Sequence, residues 1–131
     1  MQVHLCDFCL AIENGIEGQK KICGAPYYIA PELLNHKNGL NYSFEIDIWA
    51  FGVMLYTLYY HKTPFEQEVK GRTKYNIQNI IYSFPKEVSI SKEAKDLIRS
   101  ILVKDPKEDQ KLNKLNLLLF LKIGKEFQNI Y

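Results

Sequence analysis

The chain has 131 residues, 47% of them apolar and 24% charged, which is typical of one globular domain and excludes a disordered segment. The formal net charge of +2 is spread along the chain and argues against a nucleic-acid-binding protein. The longest apolar run, Ile48 to Tyr60, is shorter than the ~20 residues of a membrane span. No basic segment precedes the apolar start, as it would in a signal peptide. We therefore expect an intracellular protein, cytoplasmic or nuclear, without contact to nucleic acid or membrane.

The three cysteines form an odd set, which argues against a disulfide framework. Cys6 and Cys9 make a C-x-x-C pair with His4 and Cys23 nearby, so a zinc site with four ligands is one interpretation. Because the pair lies in an apolar stretch, we favour the alternative that both thiols are ordinary buried side chains.

The N-terminal part of the chain predicts little helix. Val3–Leu10 is extended and rich in apolar residues, which predicts one or two short strands, and a polar loop follows. Pro26 and Pro31 keep residues 24–30 out of a regular helix. A short helix is expected to begin after Pro31 and to end near residues 36–39.

The central helix is predicted over Ser43–Tyr60, with its first residue as the N-cap. Glu45 and Asp47 lie where negative charge favours the positive end of the helix dipole. Because the segment is apolar nearly all round, we expect it to be buried on most of its surface, with Trp49 and Phe51 in the core.

Three further helices are predicted toward the C-terminus. The first covers Lys74–Tyr82 and is closed by Pro85. Ser91 caps the next, which has the clearest amphipathic spacing of the chain, and Leu112–Ile123 forms the last. The predicted fold is therefore mainly α.

Two motifs lie in the middle of the chain. Residues 24–32 read G-A-P-Y-Y-I-A-P-E, and residues 47–52 read D-I-W-A-F-G. Together with the upstream D-F-C at residues 7–9, they resemble the protein kinases, in which A-P-E closes the activation segment and D-x-W-x-x-G opens the central helix of the large lobe. Residues 43–49 and 63–66 look most like the polo-like serine/threonine kinases.

The resemblance implies a mainly α portion of the kinase large lobe with one or two short N-terminal strands. It assigns residues 1–121 to the kinase domain portion and residues 122–131 to a C-terminal tail. In kinases this lobe works with a glycine-rich loop, a strand lysine, a helix glutamate and an H-R-D catalytic loop, none of which occurs in the sequence. No residue of this chain is therefore predicted to be the catalytic base.

The resemblance also implies roles for single residues. Asp7 corresponds to the carboxylate that binds the magnesium ion bridging the ATP phosphates. The loop Gly24, Ala25, Pro26 and Tyr28 corresponds to the part that shapes the substrate pocket.

Four residues have implied structural roles. Glu32 normally pairs with an arginine, and Asp47 accepts N–H groups from the catalytic loop. Trp49 is expected in the core, and Gly52 completes the motif. Because its usual donors belong to the missing loop, Asp47 is expected to be partly exposed or to cap local backbone.

Several positions depart from the kinase pattern. Cys9 replaces the glycine of D-F-G, Lys21 replaces a phosphorylated threonine, and Ala25 replaces the threonine of G-T-P. Asp109 stands where the arginine partner of Glu32 is expected.

Two functions follow from this resemblance. The chain is part of a serine/threonine protein kinase that uses ATP and magnesium on protein substrates, or it is a non-catalytic, pseudokinase-like module that binds protein partners. In either case we expect no phosphate transfer by this chain alone and little binding of ATP or magnesium. We also expect uncovered apolar surface on the central helix, and hence self-association.

Overall fold

The computed structural model describes residues 4, 6–11, 24–35, 45–69 and 71–104 of the chain. These residues form four α-helices and one short 3₁₀ turn, so the expectation of a mainly α fold is confirmed. The 3₁₀ turn covers Pro26–Tyr28, and the helices are α1 (Pro31–Asn35), α2 (Glu45–Tyr60), α3 (Arg72–Asn79) and α4 (Lys92–Ile101). The predicted N-cap Ser43 and the predicted helix Leu112–Ile123 lie outside the described residues.

The N-terminal segment contains no strand in its described residues, 4 and 6–11. The N–H of Ala11 donates to the carbonyl oxygen of Phe8 at 3.0 Å, which closes a turn, and Asp7 has a left-handed φ of 63°. Our expectation that Cys6 and Cys9 are buried is wrong, because both side chains are exposed. Burial needs an apolar neighbour packed over the thiol, and even the adjacent Phe8 is 63% exposed.

Helix α2 forms the centre of the hydrophobic core. The side that contacts the rest of the protein carries a set of buried residues: Trp49, Gly52, Val53, Leu55, Tyr56, Tyr59 and Tyr60. The helix ends at Tyr60. The next residue, His61, has a left-handed φ of 54°, and its N–H donates to the Thr57 carbonyl at 2.8 Å.

Part of the α2 surface stays exposed with respect to the described residues. Met54 and Leu58, one turn apart, are exposed on the side away from the buried residues, Ile48 is exposed in the first turn, and Phe51 is partly buried against the core. Most residues of α2 are nevertheless buried or partly buried, Phe51 among the latter, so the expectation of a helix buried on most of its surface is confirmed, and exposed apolar side chains remain as expected. Helix α4, the 3₁₀ turn and the segments around Phe65 and Phe84 pack on α2 and leave Met54 and Leu58 exposed.

Helix α4 begins as the sequence predicts. The Ser91 hydroxyl oxygen accepts a hydrogen bond from the N–H of Ala94 at 3.1 Å, which satisfies one of the free donors of the first turn. The amphipathic spacing places Ala94, Leu97, Ile98 and Ile101 in the core, where α4 packs against α2.

Helix α3 packs against α1 and ends earlier than predicted, at Asn79 instead of Tyr82. Ile80 adopts a left-handed φ of 53°, and the N–H of Ile81 donates to the Asn76 carbonyl at 2.9 Å. This bond closes the helix end before the chain reaches Pro85. Residues 81–85 then run without helix toward α4.

Within the residues that the structure describes, no helix is both long enough and apolar enough to cross a membrane.

Candidate functional site

The loop that resembles the kinase substrate pocket is a tight, exposed turn. Gly24 has a φ of 105°, a value that side chains rarely allow, and Pro26 provides the fixed φ of the first turn position. The N–H of Tyr28 donates to the Ala25 carbonyl at 3.0 Å. Gly24, Ala25 and Pro26 are exposed, so their backbone is available to another chain.

The end of this loop is anchored in the core. Tyr28 packs partly buried against the core, Ala30 is 1% exposed, and the 3₁₀ turn contacts α2. The N–H of Leu33 donates to the Ala30 carbonyl at 3.1 Å, which ties the loop to α1. An exposed turn on a buried anchor gives a rigid surface for recognition.

Glu32 lies half-buried in the first turn of α1, where a negative charge is favourable. Asp109, which stands at the position of its expected arginine partner, lies outside the described residues.

The D-x-W-x-x-G motif has a structural role. Trp49 is 2% exposed, and its ring is stacked on Phe65. Gly52 lies where a Cβ atom would collide with the side chain of Ile101, so glycine permits the close approach of α2 and α4. Asp47 is exposed in the first turn of α2, in agreement with the expectation for a carboxylate without its kinase donors.

Asp7 is an exposed carboxylate without a hydrogen-bond or ion-pair partner among the described residues. Magnesium requires an octahedral set of oxygen ligands. In the described part of the chain, no group of three His, Cys, Asp or Glu side chains could hold a metal ion. Magnesium that is bound together with a nucleotide takes one or two carboxylates, with phosphate oxygens and water as its other ligands, and Asp7 fits the part of one such carboxylate. Cys23, the fourth ligand of the zinc hypothesis, lies outside the described residues.

Four aromatic rings form a cluster that the sequence analysis missed. Tyr56 of α2 contacts Tyr82 and Phe84 of the segment after α3, and Tyr60 contacts Phe84, with ring centroids 5.9–6.1 Å apart. Within α2, the centroids of Tyr56 and Tyr60 are 4.6 Å apart. Burial, with smaller effects of the neighbouring Tyr60 and Tyr82, raises the pKa of Tyr56 to about 12. Burial also raises the pKa of Tyr82, and the positive charge of Arg99 partly opposes that rise.

The Tyr82–Phe84 segment and α4 enclose a cleft, whose lining also includes Lys95 and Arg99. The spacing of these two cations, one helical turn apart, was a signal in the sequence. This spacing has no obvious meaning in the sequence, because the rings of Tyr82 and Phe84 that face the two cations come from another segment.

Comparison with known proteins identifies the family. The protein kinase domain family matches residues 1–115 of the chain. A probable serine/threonine-protein kinase CCRP1 of Zea mays is 40% identical over 93% of this chain, which covers 20% of that protein. A probable serine/threonine-protein kinase PLK of Dictyostelium discoideum is 44% identical over 88% of this chain and 12% of its own length. The cell cycle serine/threonine-protein kinase CDC5/MSD2 of Saccharomyces cerevisiae is 44% identical over 83% of this chain and 16% of its own length.

The chain spans a fifth or less of the length of these three relatives. The matched region contains the A-P-E motif, which joins the exposed turn to α1, and the D-x-W-x-x-G motif, which lies in α2 at the centre of the core. The chain belongs to the protein kinase domain family, as a portion of the domain that is similar to the polo-like serine/threonine kinases.

Proposed function

We propose that this chain is the substrate-side portion of a serine/threonine protein kinase domain that phosphorylates proteins. The observation that carries the proposal is the exposed turn Gly24–Tyr28, fixed on α2 through Tyr28 and Ala30. A rigid turn of this kind orients a substrate segment at low entropic cost, which is how positioning contributes to phosphoryl transfer.

In this proposal the described residues border the substrate and offer one possible metal ligand. The backbone of Gly24, Ala25 and Pro26 borders the substrate segment, and Ala25 offers no hydroxyl group to orient a catalytic base. Asp7 offers one exposed carboxylate oxygen. Bound ATP and magnesium would supply the phosphoryl group and the charge neutralisation. Because the sequence contains no H-R-D motif, we expect the 131 residues alone neither to position a substrate hydroxyl nor to transfer phosphate.

A second candidate function is a non-catalytic module that binds protein partners. The exposed apolar side chains Ile48, Met54 and Leu58 on α2 favour it, since such a face is suited to cover by another protein surface. We expect either function to be carried out inside the cell, where ATP and the protein substrates of serine/threonine kinases are present.

A phosphorylation assay tests the proposal for the chain alone. With labelled ATP, magnesium and casein, we expect no incorporation of phosphate and no thermal shift caused by ATP. Robust incorporation that Asp7→Asn abolishes, with unchanged circular dichroism, would show that a complete site is assembled.

The coding sequence upstream of Met1 discriminates the two candidate functions. An in-frame G-x-G-x-x-G and H-R-D would support the enzyme, and expression of that longer chain should then give phosphate transfer that depends on Asp7. A stop codon directly upstream would support the binding module.

A further inference from the structure

A shallow cleft lies between α4 and the segment that follows α3. It has a volume of about 510 Å³ and is open to solvent. Its lining residues are Tyr82, Ser83, Phe84, Lys95 and Arg99. None of them belongs to the turn Gly24–Tyr28 or to the D-x-W-x-x-G motif, so the cleft is separate from the site described above.

The aromatic wall of the cleft is held by the core. The hydroxyl of Tyr56 donates a hydrogen bond to the carbonyl oxygen of Ser83 at 2.7 Å. The rings of Tyr82 and Phe84 meet edge to face, with centroids 5.5 Å apart, and Phe84 also contacts Tyr56. A ligand therefore finds this wall already formed and loses little free energy to ordering it.

The opposite wall carries positive charge. The guanidinium of Arg99 lies 5.0 Å from the centroid of the Phe84 ring, which fixes its direction. Its Nη1 is 3.0 Å from a carboxylate oxygen of Asp96, but both side chains of this pair are about half exposed, so an incoming anion can compete. Lys95 has no ion-pair partner among the described residues. The cleft thus holds two cations and one nearby carboxylate.

We propose that this cleft binds an acidic side chain of a protein segment, a carboxylate or a phosphate, next to an apolar residue. Lys95 and Arg99 would bind the anionic group through charged hydrogen bonds, and the rings of Tyr82 and Phe84 would contact the apolar neighbour. Two cations suit one anionic group and form no track for a nucleic-acid backbone. Because the cleft is shallow and open to solvent, an extended peptide segment can enter it. This inference goes beyond the proposed function and does not depend on phosphate transfer.

The test measures fluorescence anisotropy of three short labelled peptides with the 131-residue chain. Each peptide contains one phenylalanine. In the first it is followed by two glutamates, in the second by a phosphoserine, and in the third, the neutral control, by two glutamines. We expect both acidic peptides to bind at least about tenfold more tightly than the neutral one, with an affinity that falls as salt rises. The tighter acidic peptide shows whether carboxylate or phosphate is preferred.

Matched variants on one helix identify the site. Lys95→Gln and Arg99→Gln should each weaken binding of the acidic peptides by about tenfold, whereas Lys92→Gln, on the same helix and outside the cleft, should not. Arg99→Gln also removes the Arg99–Phe84 contact and could unfold the chain. In that case Lys95→Gln, which leaves this contact in place, still tests the site. Equal binding of acidic and neutral peptides, an unchanged affinity in Lys95→Gln, or tighter binding of a single-stranded oligonucleotide would overturn the proposal.

Discussion

The indole ring of Trp49 stacks on the phenyl ring of Phe65, with centroids 5.4 Å apart and planes inclined by 9°. Trp49 is on α2, and Phe65 follows the end of this helix, so the contact fixes the returning chain against the helix. Both side chains are buried, and the indole nitrogen has no hydrogen-bond acceptor among the described residues. The tryptophan therefore acts through packing.

We expect Trp49→Ala to lower the free energy of unfolding by about 3–5 kcal/mol, because it removes a large buried ring. Trp49→Phe should cost less, since it keeps a ring against Phe65 and removes an unpaired N–H. Denaturant unfolding measures both. Tyr75→Ala is the control, because Tyr75 is 50% exposed and should change stability little. If Trp49→Ala lowers the free energy of unfolding by less than about 1 kcal/mol, Trp49 does not contribute to the core as expected.

Gly52→Ala should destabilise the chain by about 1–3 kcal/mol through overpacking, because the added Cβ meets the side chains of Ile101 and Leu102. A double-mutant cycle with Ile101→Ala checks the cause. Ile101→Ala removes the Cγ2 methyl group that the new Cβ would meet. The loss of stability in the double mutant should therefore be clearly smaller than the sum of the two single losses. Full additivity would show that Gly52 acts through something other than this contact.

The exposed face of α2 should make the isolated chain self-associate at high concentration. Replacing Met54 and Leu58 together by glutamine should shift the chain toward monomer in sedimentation velocity, because it removes apolar surface from an uncovered face. The control is Val69→Gln, which changes an exposed apolar residue outside α2. A native chain that stays monomeric at the highest concentration would contradict this expectation.

Stability should fall at alkaline pH through Tyr56. The folded state holds its pKa at about 12, above the value of 10.0 for an unperturbed tyrosine, so the unfolded state releases the phenolic proton first. The contribution to stability is complete below pH 10 and is lost as the pH rises to about 12. Denaturant unfolding across this range measures the loss.

Tyr56→Phe should flatten that pH dependence, because its ring cannot ionise, and it should also lower stability at neutral pH through loss of the bond to Ser83. Tyr75→Phe, at an exposed position, serves as the control. An equal alkaline loss in Tyr56→Phe would assign the effect to other tyrosines.

Local signals in the sequence were enough to predict part of the fold. The start of α4 follows from Ser91, because a hydroxyl that accepts an N–H three residues later acts within one turn. The start of α1 at Pro31, one residue earlier than expected, followed from proline geometry, and the burial of Trp49 followed from the motif. The turn Gly24–Tyr28 was likewise predictable, since glycine allows a positive φ and proline fixes φ locally.

Other features depend on which surfaces meet, and only the tertiary structure decides them. The apolar residues of α2 surround the helix, so its pattern indicates no preferred side, and the packing of α4 left Met54 and Leu58 exposed. The early end of α3 depends on a left-handed Ile80, a conformation that its side chain does not favour by itself. The cleft exists because residues 82–84 pack on Tyr56 and face Arg99, a long-range arrangement without a local sequence pattern.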